Sequence, residues 1–229
     1  MASNAPATEL PLFALKAVLF PGGMLSLKVL EARYLDLVTT PLRERRPFGV
    51  VALRAGFEKR QAENGQHFDA TGTVAELIDV VSERTGILQV RCRGTQRFVV
   101  ERRRQQADGL WLAETRALPN NALLAPIPVL LEAVRGLASA IAALKGHGSE
   151  PILTPHRFED AGWVANRWCE ILPISTVAKQ ELIELSDRIV RLQLVDDFLR
   201  SRGVVKQGFN SAAACAAAQA NRRRARLLA

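Results

Sequence analysis

The chain has only three cysteines in 229 residues, Cys92, Cys169 and Cys215, far apart and without a Cys-x-x-Cys or a Cys/His cluster. That excludes a disulfide framework and a zinc site as organising devices, and a reducing compartment is the expected home. Long apolar runs are missing too: no segment reaches the roughly 18 to 20 apolar residues that span a bilayer. Met1 to Ala7 has neither the basic start nor the apolar core of a leader. The expected setting is soluble and cytoplasmic, with no membrane partner.

Catalytic signatures are equally scarce. None of the six lysines, Lys16, Lys28, Lys59, Lys145, Lys179 and Lys206, is followed by Ser or Thr, so no P-loop can hold a nucleotide's phosphates. The histidines His67, His147 and His156 lie in no His-Glu-x-x-His or His-x-Glu arrangement, and there is no Gly-x-Ser-x-Gly elbow. Gly146-His147-Gly148 follows a helical pattern rather than a strand and lacks a third glycine, so it reads as a helix end. A dispersed Ser/His/Asp or Ser/Lys site is the remaining hydrolytic reading, because such groups meet in space and not in sequence. No enzyme activity, metal or cofactor is expected.

Acidic residues are absent after Arg200, where Arg202, Lys206, Arg222, Arg223, Arg224 and Arg226 carry six of the eight net positive charges. The first 200 residues are therefore close to neutral, and the basic isoelectric point belongs mainly to the tail. Beside its Ala-rich stretch, Arg222-Arg223-Arg224 suits a basic helix on nucleic acid, ribosome or an anionic surface. The short runs Arg43-Glu44-Arg45-Arg46 and Arg102-Arg103-Arg104 read as solvated strand and helix ends.

What is present is a 48% hydrophobic chain, ample for a buried core. Its first half alternates. Leu88, Val90 and Cys92 interleave with Gln89, Arg91 and Arg93 over Ile87 to Arg93, which predicts a half-buried strand with Cys92 inward. Gly94-Thr95 reads as a turn into Gln96 to Glu101, and Ala107-Asp108-Gly109 as a turn into Leu110 to Ala117. Phe48 to Leu53 and Gly72 to Val81 are further strands, with Glu58 to Gln66 an exposed loop between them. A helix from about Glu31 to Thr40 is stopped by Pro41.

After Leu118 the period becomes helical, with helices predicted over Val129 to Lys145 and Phe158 to Leu172 and two more capped by Ser175 and Ser186. In the last, Ile189, Leu192, Val195 and Leu199 form one apolar stripe. The expected fold class is α+β, a mostly antiparallel β pseudo-barrel over 1–118, a helical bundle over 119–203 and an Ala/Arg-rich tail over 204–229.

Leu10-Pro11-Leu12-Phe13, Phe20-Pro21-Gly22 and Glu31-Ala32-Arg33-Tyr34 read as strand, turn and helix start, and together resemble the opening of the Lon N-terminal (substrate-binding) domain family. The resemblance continues through Gly72-Thr73-Val74-Ala75, through Gly94-Thr95-Gln96-Arg97-Phe98, and through Leu172-Pro173 with Lys179-Gln180-Glu181-Leu182-Ile183-Glu184. It covers about residues 9 to 200. It implies a PUA-like pseudo-barrel followed by a helical bundle, the part of ATP-dependent Lon proteases that precedes the ATPase and Ser-Lys peptidase domains.

The implied function is a non-catalytic module for unfolded or apolar protein segments, with a separate ATPase or protease as a further partner. The alternative is a PUA-like RNA-binding protein using its basic tail. Phe20, Met24 and Tyr34 are the candidate substrate-binding residues. Exposed, Phe20 and Met24 would form an apolar lip around Pro21-Gly22-Gly23; buried, they would plug the barrel end. Glu31, Arg33 and Tyr34 read first as residues that hold the fold.

Overall fold

Two long strands carry the architecture. The computed structural model describes residues 9–29, 47–54, 68–84, 87–119, 123–146 and 152–205. Among these, β4 (Phe68–Arg84) and β5 (Ile87–Gln105) pair antiparallel along their length, and the shorter β1 (Leu10–Leu15), β2 (Met24–Val29), β3 (Phe48–Leu53) and β6 (Trp111–Ala117) complete one sheet. The order runs β2-β5-β4-β3-β1-β6, and β6 pairs back onto β5, so five strands close into a barrel. β1 lies parallel to β3 and antiparallel to β6, which makes the sheet mixed. β2 and β6 share one edge of β5: β2 takes Leu88 to Arg93, and β6 takes Phe98 to Gln105.

The expected turn at Gly94-Thr95 is a bulge within the continuous β5. The register moves from Thr73 opposite Arg97 to Ala75 opposite Gly94, so the longer side of β5 bends between its two partners. Glycine is required there by close approach. A Cβ at Gly94 would sit 2.4 Å from the Phe20 carbonyl oxygen, because the turn at Pro21-Gly22 is hydrogen-bonded onto the bulge. Gly22 N donates to Gly94 O at 2.7 Å, and Gly94 N donates to Gly23 O at 2.9 Å. Gly94→Ala is therefore expected to cost about 1–3 kcal/mol. Urea denaturation checks this against Gly146→Ala, where nothing lies within 4 Å of the added methyl and no loss is expected.

The turn at Asp108-Gly109 is as predicted. Gly109 has φ +86°, and Leu110 N donates to Asp108 Oδ1 at 2.9 Å. Alternation buries Leu12 and Phe13 on opposite sides, in two clusters built around Val51, Phe68 and Phe98 and around Phe48, Val50 and Val90. Cys92 points inward as expected and is fully buried.

The helices are α1 (Leu131–Gly146, entered through a 3-10 turn at Pro128–Leu130), α2 (Ala161–Ile171), α3 (Thr176–Glu184) and α4 (Arg188–Ser201). Ser175 caps α3 as predicted, its Oγ accepting from Ala178 N at 3.1 Å. Two starts differ from expectation. α2 begins after Asp160 rather than at Phe158, and α4 is capped by Asp187 rather than Ser186, because each carboxylate reaches the free backbone N–H groups of the first turn. Leu192, Val195 and Leu199 are buried as the stripe requires. The predicted helix over 31–40, the loop over 58–66 and the tail beyond Val205 lie outside the described residues.

The helical core takes in Phe20 from the barrel side. Polar side chains also cross between the halves. Arg97 Nη1 donates to the carbonyls of Ile183 at 2.6 Å and Leu185 at 2.9 Å, Gln180 Nε2 donates to Thr71 O at 3.0 Å, and Asn166 Nδ2 donates to Pro21 O at 3.3 Å. Arg97 and Gln180 belong to two of the short motifs singled out in the sequence, which thus serve to join sheet to helices.

The cleft between barrel and helices

A cleft of about 410 Å³ opens where the Pro21-Gly22 turn, the β5 bulge, residues 153–157 and the first turns of α2 and α4 converge. Its inner wall is the turn. Gly22 adopts φ +76°, a conformation that costs glycine nothing and strains other residues. Arg167 holds the turn from α2: its guanidinium donates to Pro21 O at 2.9 Å, to Gly22 O, and to Glu170 Oε1 at 2.9 Å. The Arg167 side chain is 0% exposed. Burial pushes the Glu170 carboxyl up to about 7, against the opposing pull of Arg167 and Lys179.

The other walls are rich in arginine. Arg93, Arg97, Arg157, Arg188 and Arg191 line the cleft together with a single carboxylate, Asp160. Gly162 permits this crowding, since a Cβ there would meet Arg188 Cδ at 2.6 Å. Arg191 Nε donates to Leu182 O at 2.7 Å and Nη1 to Asn166 Oδ1 at 2.8 Å, and Nη2 also donates to Leu185 O. Burial, then the neighbouring Arg97 and Arg188, pull Arg191 down to about 10; burial and Arg188 pull Arg97 down as well. Both stay cationic at neutral pH. Pro21, Pro119, Leu153, Pro155 and Trp163 supply the apolar surface. The cleft is thus largely polar and cationic, with these residues as its apolar part.

The candidate residues fall in different places. Phe20 is 0% exposed and packs in the helical core, so of its two readings the buried one holds and it forms no lip. Met24 is half-buried at the start of β2, directly opposite the cleft residue Arg93. Tyr34, with Glu31 and Arg33, lies outside the described residues. The arginines were missed because they come from three separate segments. One signal was available: 25 of the 31 basic residues are arginine, the side chain suited to buried and forked contacts.

The described lining of the cleft includes Thr95, Thr154 and Asp160 but no Ser, His, Cys or Lys. Elsewhere, burial pushes the thiols of Cys92 and Cys169 up to about 12, so neither supplies a thiolate at neutral pH. Arg102 pairs with Glu114 at 3.6 Å and Arg104 with Glu9, both exposed as the solvated reading of that run expects, whereas Arg103 is half-buried over the Phe68 and Trp111 rings. No described helix is long and apolar enough to cross a membrane. Leu123, Leu124, Ile127, Val129 and Leu131 are exposed, and Leu124 O accepts from Ala161 N, next to the cleft residue Asp160.

The solved Lon N-terminal domain protein of Xanthomonas campestris superposes with a TM-score of 0.67 at 29% identity, over 83% of this chain and 98% of that one. The N-terminal domain of a Mycobacterium avium complex Lon protease shares the fold, with a TM-score of 0.59 at 15% identity over 83% and 97%. Cereblon of Xenopus tropicalis is 31% identical over 118 residues, half of this chain but only a quarter of that protein's length. The family model of the ATP-dependent protease La (LON) substrate-binding domain matches residues 9–201, nearly all of the described fold. The chain therefore belongs to the Lon substrate-binding domain family.

Proposed function

We propose that this chain is a non-catalytic module that binds polypeptide segments in the cleft between barrel and helices. The observation that carries the reading is the cleft itself, a recess of about 410 Å³ whose lining offers apolar walls and hydrogen-bond donors and includes no Ser, His, Cys or Lys. The family supports it, since the model that matches describes a substrate-binding domain and not an ATPase or peptidase. The exposed Leu123, Leu124, Ile127, Val129 and Leu131 offer further apolar surface to a ligand chain. Residues 1–118 and 119–203 act as two halves of one binding unit, joined by Arg97, Gln180 and Asn166. Pro21, Leu153 and Trp163 form the contact surface and Met24 its edge, while Phe20 supports the turn from beneath. A cooperating ATPase or protease would act on what the module holds.

Titration calorimetry of the full chain with short unfolded peptides tests this. Saturable, mutually competitive binding is expected, with every peptide recovered intact by mass spectrometry. Leu153→Trp, which fills the cleft from its rim, is expected to weaken binding about tenfold. Absence of heat and competition across the peptides, or cleavage of any of them, would sink the reading.

A further inference from the structure

Outside the cleft, the barrel's exposed arginines among the described residues are matched to acids. Arg54 pairs with Asp69, Arg91 with Asp79, Arg102 with Glu114, Arg104 with Glu9 and Arg116 with Glu101. The cleft breaks this balance. Of its five arginines, Arg93 has Glu76 at 3.1 Å and Arg188 has Asp160 at 3.4 Å, both at the margin. Arg157 is exposed and has no acidic partner among the described residues. Arg97 and Arg191 donate to neutral oxygens, and both bonds of Arg97 leave from Nη1. Asp187 lies near Arg191 but is occupied as the α4 cap, and Glu170 is engaged with Arg167 behind the wall. Several guanidinium groups are thus gathered in one recess at the cost of mutual repulsion.

Such a recess is complementary to a planar, bidentate anion, because a carboxylate accepts two parallel N–H bonds from a guanidinium fork. We infer that the cleft is a carboxylate-recognition site that selects polypeptide segments carrying Asp or Glu side chains. The inference rests on the polypeptide-binding reading and names its substrate class. A nucleic acid fits the recess less well. Binding a single strand calls for open aromatic faces on which bases stack, whereas Trp163 is only 8% exposed and packs edge-on against Phe158.

The test uses the full chain at low salt with an acidic peptide, its isostere in which Gln and Asn replace Glu and Asp, and a short single-stranded RNA. The acidic peptide is expected to bind about tenfold more tightly than the isostere, and the advantage should disappear near about 0.5 M salt. Arg157→Glu, at an exposed position whose fold can be verified by thermal unfolding, is expected to abolish the preference, and Arg188→Gln to reduce it. Equal affinity for both peptides would overturn the carboxylate inference and leave polypeptide binding standing. No binding of either peptide would overturn the reading beneath it. RNA that competes with the acidic peptide and binds more tightly would reassign the cleft to nucleic acid. An undiminished preference in Arg157→Glu and Arg188→Gln would show that the acids bind elsewhere.

Discussion

Arg167→Ala is expected to remove about 3–5 kcal/mol of folding stability at pH 8, the range for breaking a buried ion pair from one side. The side chain is fully buried, and its loss strands the Gly22 carbonyl and the Glu170 carboxylate and leaves the Pro21 carbonyl only its longer bond from Asn166. Glu170 cannot swing away freely, because the space above it belongs to the turn: a Cβ on Gly23 would lie 1.7 Å from Glu170 Oε1. Equilibrium urea denaturation measures the loss. Hydrogen exchange should show the Gly22 and Gly94 amides opening more readily, since the turn then keeps its bonds to the bulge but loses its anchor to α2. A loss below about 1 kcal/mol, the size of one ordinary hydrogen bond, would refute this account of the wall.

Glu170→Gln is expected to change the pH dependence of stability by an amount on the order of 3 kcal/mol between pH 5 and pH 9. Burial raises this carboxyl from 4.5 to about 7 in the folded chain. Between those values the native state keeps a proton that the unfolded chain releases. Its contribution is therefore full below 4.5 and is lost as the pH rises through 7. Glutamine has no proton to lose and keeps an oxygen for Arg167. The variant should thus gain on the parent steadily as the solution becomes alkaline. The difference between the two unfolding free energies, followed across pH, isolates this group from all others. A difference that stays flat would mean that Glu170 is ionised throughout the range. The same protonation predicts that Arg167→Ala costs less at pH 5.5 than at pH 8, because a neutral Glu170 tolerates the loss of its cation.

Local pattern was a good guide wherever one residue's environment follows from its neighbours in the chain. Phe48–Leu53 is a strand with the predicted bounds, Ser175 caps the predicted helix, and Asp108-Gly109 turns as read. Errors arose where a residue serves a distant partner. Gly94-Thr95 has the composition of a turn, yet glycine is needed there because the Phe20 carbonyl presses against it from another strand connection. Phe20 looked equally suited to a lip or a plug, and only the arrival of α2 and α4 over it decides for burial.

The sequence alone determined the class of this protein: two-residue alternation followed by helical spacing, and short motifs whose order identifies the family. It also determined that no recognised nucleotide or zinc motif is present, because those chemistries need residues at fixed short spacings. The character of the cleft was decided only by tertiary structure. Arg93 and Arg97 come from a bulged strand, Arg157 from a loop, and Arg188 and Arg191 from the start of α4. Each reads as an ordinary solvated charge along the chain, and they become a site only because folding brings their forks into one recess, where proximity and partial burial give them a shared electrostatic field that no linear pattern encodes.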